Sequence, residues 1–275
     1  MFEFEPNFSR RTYIETIQEL RRHIKEGDTY EINLAQAFTA HGHLPQPQHW
    51  FHRLTQLSPV PFAAFFRWED QYLLCASPER FLQLKDQKLR SQPIKGTAAR
   101  HTDPEKDRAF YDYLRHSHKE QAENVMIVDL TRHDLYQSCI PHSVEVPYLF
   151  EIQAFPQVYQ MVSTIEGQVN PELSWQQVLA QTFPPGSMTG APKVKSMELI
   201  DRYEPLSRGV YAGSVGYVQP NGDFDWNVII RSLLYDDARE KLSYHVGGAI
   251  TYDSDPEQEY EETLLKASAL RRVFG

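Results

Sequence analysis

The chain has 275 residues, 41% of them hydrophobic, which suffices to bury a full core as one large domain or two intimate halves. A net charge of −9, with no basic run and no basic–aromatic interleaving, argues against a nucleic-acid surface. The two cysteines, Cys75 and Cys139, are too few for a disulfide framework or a thiolate metal centre, and no apolar run is long enough to cross a bilayer. The opening Met1-Phe2-Glu3-Phe4-Glu5-Pro6 lacks the basic flank and apolar centre of a signal peptide. The simplest expectation is a reduced, cytoplasmic enzyme with no nucleic-acid or membrane partner. The histidines show no metalloprotease spacing, and His41 and His43 read as solvated loop residues.

In chain order, 9–26 reads as an amphipathic helix with Tyr13, Ile17, Leu20 and Ile24 on one stripe and Gly27 ending it. Tyr30, Ile32, Leu34 and Phe38 share one face of a strand. A short helix is expected over 47–57, then strands over 62–68 and 72–76 around the Glu69-Asp70-Gln71 turn. A second pair of strands is expected over 81–84 and 89–94. A helical stretch runs from Asp103 to Leu135, with room for a break. Further helices span 174–182 and run from Pro192 to about Tyr203. Residues 210–252 give the clearest β pattern, three runs of which the first two are joined by Pro220-Asn221-Gly222-Asp223. Strands flanked by helices in this way predict an α+β fold, antiparallel sheets in a sandwich flanked by helices, over a single domain of 1–275.

Two constellations carry chemistry. Ser77-Pro78-Glu79-Arg80-Phe81 precedes Pro93-Ile94-Lys95-Gly96-Thr97, placing a carboxylic acid and an amine sixteen residues apart. A glutamate becomes a proton donor when burial disfavours its charge, and a lysine becomes a nucleophile when its neutral amine is favoured. Lys95 lies between Pro-Ile and Gly-Thr steps, the composition of a tight strand end whose N–H groups can face a ligand. The second constellation is four glutamates. Glu120 and Glu123 are three apart on a predicted helix, as are Glu259 and Glu262 on the last helix, where Asp255 is a natural N-cap and Pro256 the first helical residue. The apolar stripe of that helix, Tyr260, Leu264 and Ala267, leaves its carboxylates away from the packing seam. The bland account is two solvated helix faces; brought together, the pairs need a cation, and Mg²⁺ suits their oxygen ligands.

Other segments exclude more than they assign. Pro184–Lys193 is no nucleotide loop, since Gly190 is followed by Ala191-Pro192-Lys193 rather than Gly-Lys-Ser/Thr. It is a tight connection or an anion-favouring helix start. Gly213-Ser214-Val215-Gly216 lacks the glycine two residues before serine that a hydrolase elbow requires. Arg231, within a mostly apolar strand over 226–234, is either a strand-edge charge or a buried carboxylate fork. Tyr211 could equally be an ordinary core aromatic, and Gly247-Gly248 a β-bulge.

The motifs together resemble the chorismate-utilising enzymes, closest to their para-aminobenzoate branch. The resemblance rests on the two stretches around Glu79 and Lys95 and on Tyr30–Gln36, Ile127–Leu135, Met161–Thr164, Pro184–Lys193, Gly209–Tyr217, Asn227–Arg231 and Val246–Ile250 leading into Asp255-Pro256-Glu257. It covers nearly the whole chain. It implies Lys95 as nucleophile and Glu79 as acid, with Gly96 and Thr97 at the ring carboxylate of chorismate. It also implies Tyr211, Arg231, Gly247 and Gly248 at the enolpyruvyl carboxylate, and Mg²⁺ held among Glu120, Glu123, Glu259 and Glu262. The implied reaction joins chorismate and ammonia into aminodeoxychorismate, with ammonia supplied by a separate glutamine amidotransferase. The anthranilate branch, where the position of Lys95 is typically alanine, and an inactive chorismate-binding module are the alternatives.

The departures from the family pattern are specific. Glu31 stands where the water-using branches carry a catalytic lysine, which argues against them. Gln160 replaces a common histidine, and His133 a usual asparagine. Most relatives carry a substantial segment before this region, one that completes the sheet and in some binds feedback tryptophan; the expectation is that this chain lacks most of it.

Overall fold

The computed structural model describes residues 2–275. The chain is α+β, with seven α-helices and two antiparallel sheets among the described residues. It divides into two compact units, one of 1–78, 188–213 and 229–275, the other of 79–187 and 214–228. The first unit begins with β1 (Glu5–Pro6), α1 (Arg10–Glu26), β2 (Glu31–His41), α2 (Pro47–Leu57), β3 (Phe62–Trp68) and β4 (Gln71–Ser77). The second holds β5 (Arg80–Lys85), β6 (Lys88–Gln92), β7 (Ile94–Ala99), α3 (Pro104–His116), α4 (His118–Ser138), β8 (Glu145–Ala154), β9 (Val158–Gln168) and α5 (Trp175–Thr182). The chain then gives β10 (Gly190–Ala191) and α6 (Lys193–Tyr203) to the first unit and β11 (Gly216–Val218) and β12 (Phe224–Asn227) to the second. It closes the first unit with β13 (Ser232–Asp236), β14 (Lys241–Ile250) and α7 (Pro256–Arg271).

In the first unit the strands run β1-β2-β14-β13-β4-β3, with β10 also pairing β2. The long β2–β14 ladder is continuous, from Lys241 opposite His41 to Ile250 opposite Ile32. One face of it, with Ile32, Leu34 and Ile250, packs on the stripe of α1, where Tyr13, Ile17 and Leu20 are fully buried. Burying such side chains is worth roughly 1.5–3 kcal/mol each, and this stripe fixes α1 on the sheet. Ser9 caps α1 through its hydroxyl, and Gly27 closes it at φ 87°. Phe38, Leu74, Tyr235, Tyr244 and Val273 form a second cluster of the same unit. Tyr30 departs from the expected stripe: it precedes β2 and is 69% exposed.

In the second unit the order is β11-β12-β5-β6-β9-β7, with β8 on the other edge of β9. Two expectations are corrected here. The strand expected over 89–94 breaks at Pro93, which has no N–H to give a ladder, and restarts as β7. The helical stretch from Asp103 has the break it had room for, at Ser117, whose hydroxyl caps α4. Four strands, rather than three runs, lie between 210 and 252, and they divide between the two sheets. The Pro220–Asp223 turn does join β11 to β12, with Gly222 at φ 90°. Pro192 sits at the N-cap of α6 rather than inside it.

Candidate functional site

The residues of the second unit gather around two strand ends. Glu79 is 5% exposed, immediately before β5, and its carbonyl accepts from Val228 N at 3.0 Å, which ties it to the end of β12. Its carboxylate Oε1 accepts from the Ser187 hydroxyl at 2.6 Å. The neighbouring Arg80 forms a two-pronged pair with Asp225, both contacts at 2.9 Å, and locks the base of the strand. A recess lined by Glu79, Ser91, Thr131, Asp134, Thr182 and Ser187 adjoins this carboxylate. The same recess is also walled by Phe81, Pro93, Leu135 and Val228, and a carboxyl group buried in this way is of the kind that serves as a general acid.

Lys95 and Gly96 lie in β7 where its register with β9 shifts between Ile94 and Thr97. This bulge displaces both residues from regular pairing, as bulges beside reactive centres do. Gly96 has φ 89°, and a side chain there would meet Glu120 Oε2 at 2.9 Å and Leu114 at 3.0 Å. Gly96 therefore brings the strand backbone against the Glu120 carboxylate, which a Cβ would prevent. Thr97 is exposed and pairs in register with Gln160, itself 1% exposed. Glu120 and Glu123 are half-buried on the first turns of α4, and Lys119 Nζ approaches Glu123 at 3.8 Å. Gly186 has a packing role: a Cβ there would sit 2.9 Å from Leu130 of α4.

In the first unit, Tyr211 is 7% exposed and its ring stacks on His245, centroids 5.1 Å apart and planes 16° apart. Gly247 and Gly248 continue β14 opposite Ala35 and Leu34 in regular register, so the bulge alternative is not what forms. A Cβ at Gly248 would stand 3.4 Å from Glu259 Oε2. Glu259 is 8% exposed and accepts from the Ser254 hydroxyl at 2.8 Å. The expectation that both carboxylates of α7 lie away from its packing seam is thus corrected for Glu259. The first turn of α7, capped by Asp255 on Glu257 N and Gln258 N, presses Glu259 against Ser254 and Gly248. Glu262 is exposed and pairs with Lys266 at 2.7 Å, while Lys266 also donates to Gly247 O at 2.9 Å.

Arg231 differs most from expectation. No single strand spans 226–234; Arg231 is exposed between β12 and β13 at φ 51°, and its carbonyl accepts from Ala76 N at 3.2 Å. It is therefore neither a strand-edge charge nor an interior one. Reading by motif missed Ser187 as a partner of Glu79, although it lay in a quoted stretch. It also missed His245, which strand alternation from Gly247 could have found. Glu31 is 2% exposed, and His133 is exposed on α4.

The donor sets suit a hard divalent ion. Each unit offers a carboxylate, Glu120 or Glu259, held against a glycine backbone with no side chain between, and all the donors are oxygens. Separately, His23, Glu26 and Asp28 form a tight group of possible ligands in the first unit. Both ring nitrogens of His23 are already engaged there, by Asp28 at 2.7 Å and Tyr203 at 3.0 Å.

Comparison with known proteins agrees along the whole chain. The chorismate binding enzyme model matches residues 1–272. The chain is 42% identical over 269 residues to the chloroplastic aminodeoxychorismate synthase of Arabidopsis thaliana, covering 97% of this chain and 29% of that protein. It is 39% identical over 270 residues to aminodeoxychorismate synthase component 1 of Escherichia coli, covering 98% of this chain and 58% of that one. It thus spans less than two thirds of either relative. Among solved structures it is similar to anthranilate synthase component I of Streptococcus pneumoniae, with a TM-score of 0.88 at 30% identity, over 98% of this chain and 59% of that chain. The menaquinone-specific isochorismate synthase of Escherichia coli shares the fold, with a TM-score of 0.86 at 23% identity, over 99% of this chain and 63% of that chain. No helix among the described residues is long and apolar enough to cross a membrane.

Proposed function

The chain belongs to the chorismate binding enzyme family, and from that premise we propose that it aminates chorismate to aminodeoxychorismate. The observation that carries this reading is the presence, within one unit, of a buried Glu79 held by Ser187 and of Lys95 in the β7 bulge. A binding module requires neither an acid nor an amine nucleophile. The relatives at about 40% identity support the amine-transferring branch, and Lys95 supports it against the anthranilate branch.

In this mechanism the neutral Lys95 amine attacks the diene carbon next to the carboxylate-bearing ring carbon. The electron pairs of the diene shift, the distant ring C–O bond breaks, and Glu79 gives its proton to the departing hydroxyl, which leaves as water. Ammonia then adds at the carbon the hydroxyl vacated, the electrons shift back, and the Lys95 amine is released. Arg231 and Tyr211, with N–H groups near Gly247 and Gly248, hold the enolpyruvyl carboxylate. Gly96 and Thr97 hold the ring carboxylate. Fixing both ends keeps the reacting carbon against the amine, which lowers the entropic part of the barrier.

Glu120, Glu123, Glu259 and Glu262 would hold Mg²⁺, which supplies electrostatic polarisation of the ring carboxylate when bound. Ammonia comes from a glutamine amidotransferase partner, in keeping with the bacterial relatives being component 1 of their synthases. One assay tests the reading: chorismate, Mg²⁺ and an ammonium salt, with products resolved by mass spectrometry. Aminodeoxychorismate is expected. Anthranilate, the product named by the similar Streptococcus pneumoniae enzyme, would move the chain to that branch, and unconsumed chorismate would contradict both.

A further inference from the structure

We propose that His245 is a substrate-binding and specificity residue that gives one imidazole N–H to the acidic three-carbon arm of the substrate from a ring clamped on Tyr211. The inference rests on the chorismate reading above and extends it to a residue that the family motifs do not mark.

Strand alternation puts His245, Gly247 and Ala249 on one face of β14, opposite Ala37, Ala35 and Asn33 of β2. Four of these are alanine or glycine, so the imidazole stands on a floor of small residues rather than inside a packed wall. Its plane is fixed by the parallel Tyr211 ring at 5.1 Å. Both ring nitrogens are enclosed, and neither has a hydrogen-bond partner. Buried polar atoms of native proteins nearly always find a partner, and an exception marks a place where a ligand or water supplies it.

The surroundings state the sign of that partner. The charges that reach the ring are both cationic: Lys241 on its own strand, and Arg208, which is pinned by Glu204, Met188 O and Asn33 O. Burial first, then these two cations, push His245 down to about 4, so the ring is neutral near pH 7 and offers one N–H donor. A donor without a partner, beside Lys241 and an Arg208 whose charge Glu204 offsets, fits an oxygen acceptor such as a carboxylate. In chorismate that oxygen belongs to the enolpyruvyl carboxylate, to which Tyr211 and Gly247 are also assigned.

The test compares the full chain with His245→Phe, which keeps the stack and removes both nitrogens, and with His245→Gln, which keeps a donor. With chorismate, Mg²⁺ and ammonium, the phenylalanine variant should raise KM for chorismate about tenfold or more while kcat stays within about twofold. The glutamine variant should recover most of that loss. In the parent, the His245 ring ¹⁵N resonances should move on adding chorismate at neutral pH, and their titration midpoint should rise. A phenylalanine variant with KM within about twofold of the parent overturns the inference while leaving chorismate amination intact. If that variant does not fold, unmoved His245 resonances in the parent overturn it instead. A parent that neither binds nor consumes chorismate overturns the functional reading and this inference together.

Discussion

The Ser187 hydroxyl donates to Glu79 Oε1 across 2.6 Å, and both residues are buried. The acid at the centre of the proposed chemistry is therefore oriented by a residue from a short 3₁₀ turn, Gly186–Met188, more than a hundred positions away in sequence. Ser187→Ala should lower kcat for amination about tenfold and leave KM for chorismate nearly unchanged, because orientation is lost while the anion anchors remain. Glu79→Gln should be more severe in kcat with binding retained. Steady-state kinetics checks both, and a raised KM with unchanged kcat would assign Ser187 to ground-state binding.

The metal account is tested through the carboxylates and the glycine that packs on one of them. Glu123→Gln and Glu259→Gln should each weaken the Mg²⁺ dependence of chorismate binding with the fold intact. Gly96→Ala should do so as well, because the new methyl would meet Glu120 Oε2 at 2.9 Å and the backbone there holds φ 89°. Isothermal titration of chorismate at several Mg²⁺ concentrations measures this. An unchanged Mg²⁺ dependence in both glutamine variants removes those residues from the metal site.

The buried pair of Glu204 and Arg208 makes a prediction about stability alone. Their side chains are 5% and 13% exposed and 2.6 Å apart; Glu204 also accepts from Ala35 N at 2.8 Å. Glu204→Ala leaves a buried guanidinium without its carboxylate and should cost about 3–5 kcal/mol. Urea denaturation is the measurement, and a loss under about 1 kcal/mol would show that water enters to solvate Arg208.

The pH profile of stability follows from His245. Its folded value near 4 lies below the ordinary 6.5, so between those limits the unfolded chain binds a proton that the folded chain refuses. Stability should fall as pH drops from about 6.5 to 4 and then level, for a loss on the order of 3 kcal/mol from this group. In His245→Phe that part of the slope vanishes, so the parent should lose ground to the variant on acidification. Parallel profiles across that interval would contradict the burial of the ring nitrogens.

Both thiols should be silent. Cys75 and Cys139 are both buried, which shields them from reagent, and burial pushes Cys139 up to about 12, so that thiol is not ionised near neutrality. Alkylating reagent should label them only on unfolding; rapid labelling of the native chain would show an opening at β4 or at the end of α4.

Much of this architecture is legible in the residues. The stripe Tyr13, Ile17, Leu20 is periodic and capped at both ends, and it became α1. The hairpin of β8 and β9 was not read as strands at all. Its pairing is interrupted twice, between Glu145 and Tyr148 and again between Tyr148 and Glu151, and Phe150 takes φ 60°, so the two-residue period is broken. The segment 226–234 misled in the opposite direction. It is mostly apolar, yet the chain changes unit between Val228 and Ile229. There the backbone bonds go to Glu79 O, Gly213 O and Ala76 N in turn instead of one neighbouring strand. Motifs marked Glu79, Lys95 and the glutamates; they could not mark Ser187 as the partner of Glu79 or His245 as the neighbour of Tyr211, because such pairings exist only once the chain is folded.

The central claim is that Lys95 is a covalent nucleophile in the amination of chorismate. Intact-mass analysis of the enzyme, quenched during turnover with chorismate and Mg²⁺ under limiting ammonia, tests it most directly. The account predicts an added mass of chorismate less one water, mapped to the peptide carrying Lys95 and absent from Lys95→Arg, whose guanidinium stays protonated and cannot attack. Product accumulating with no such adduct, together with near-parental amination by Lys95→Arg, would contradict it.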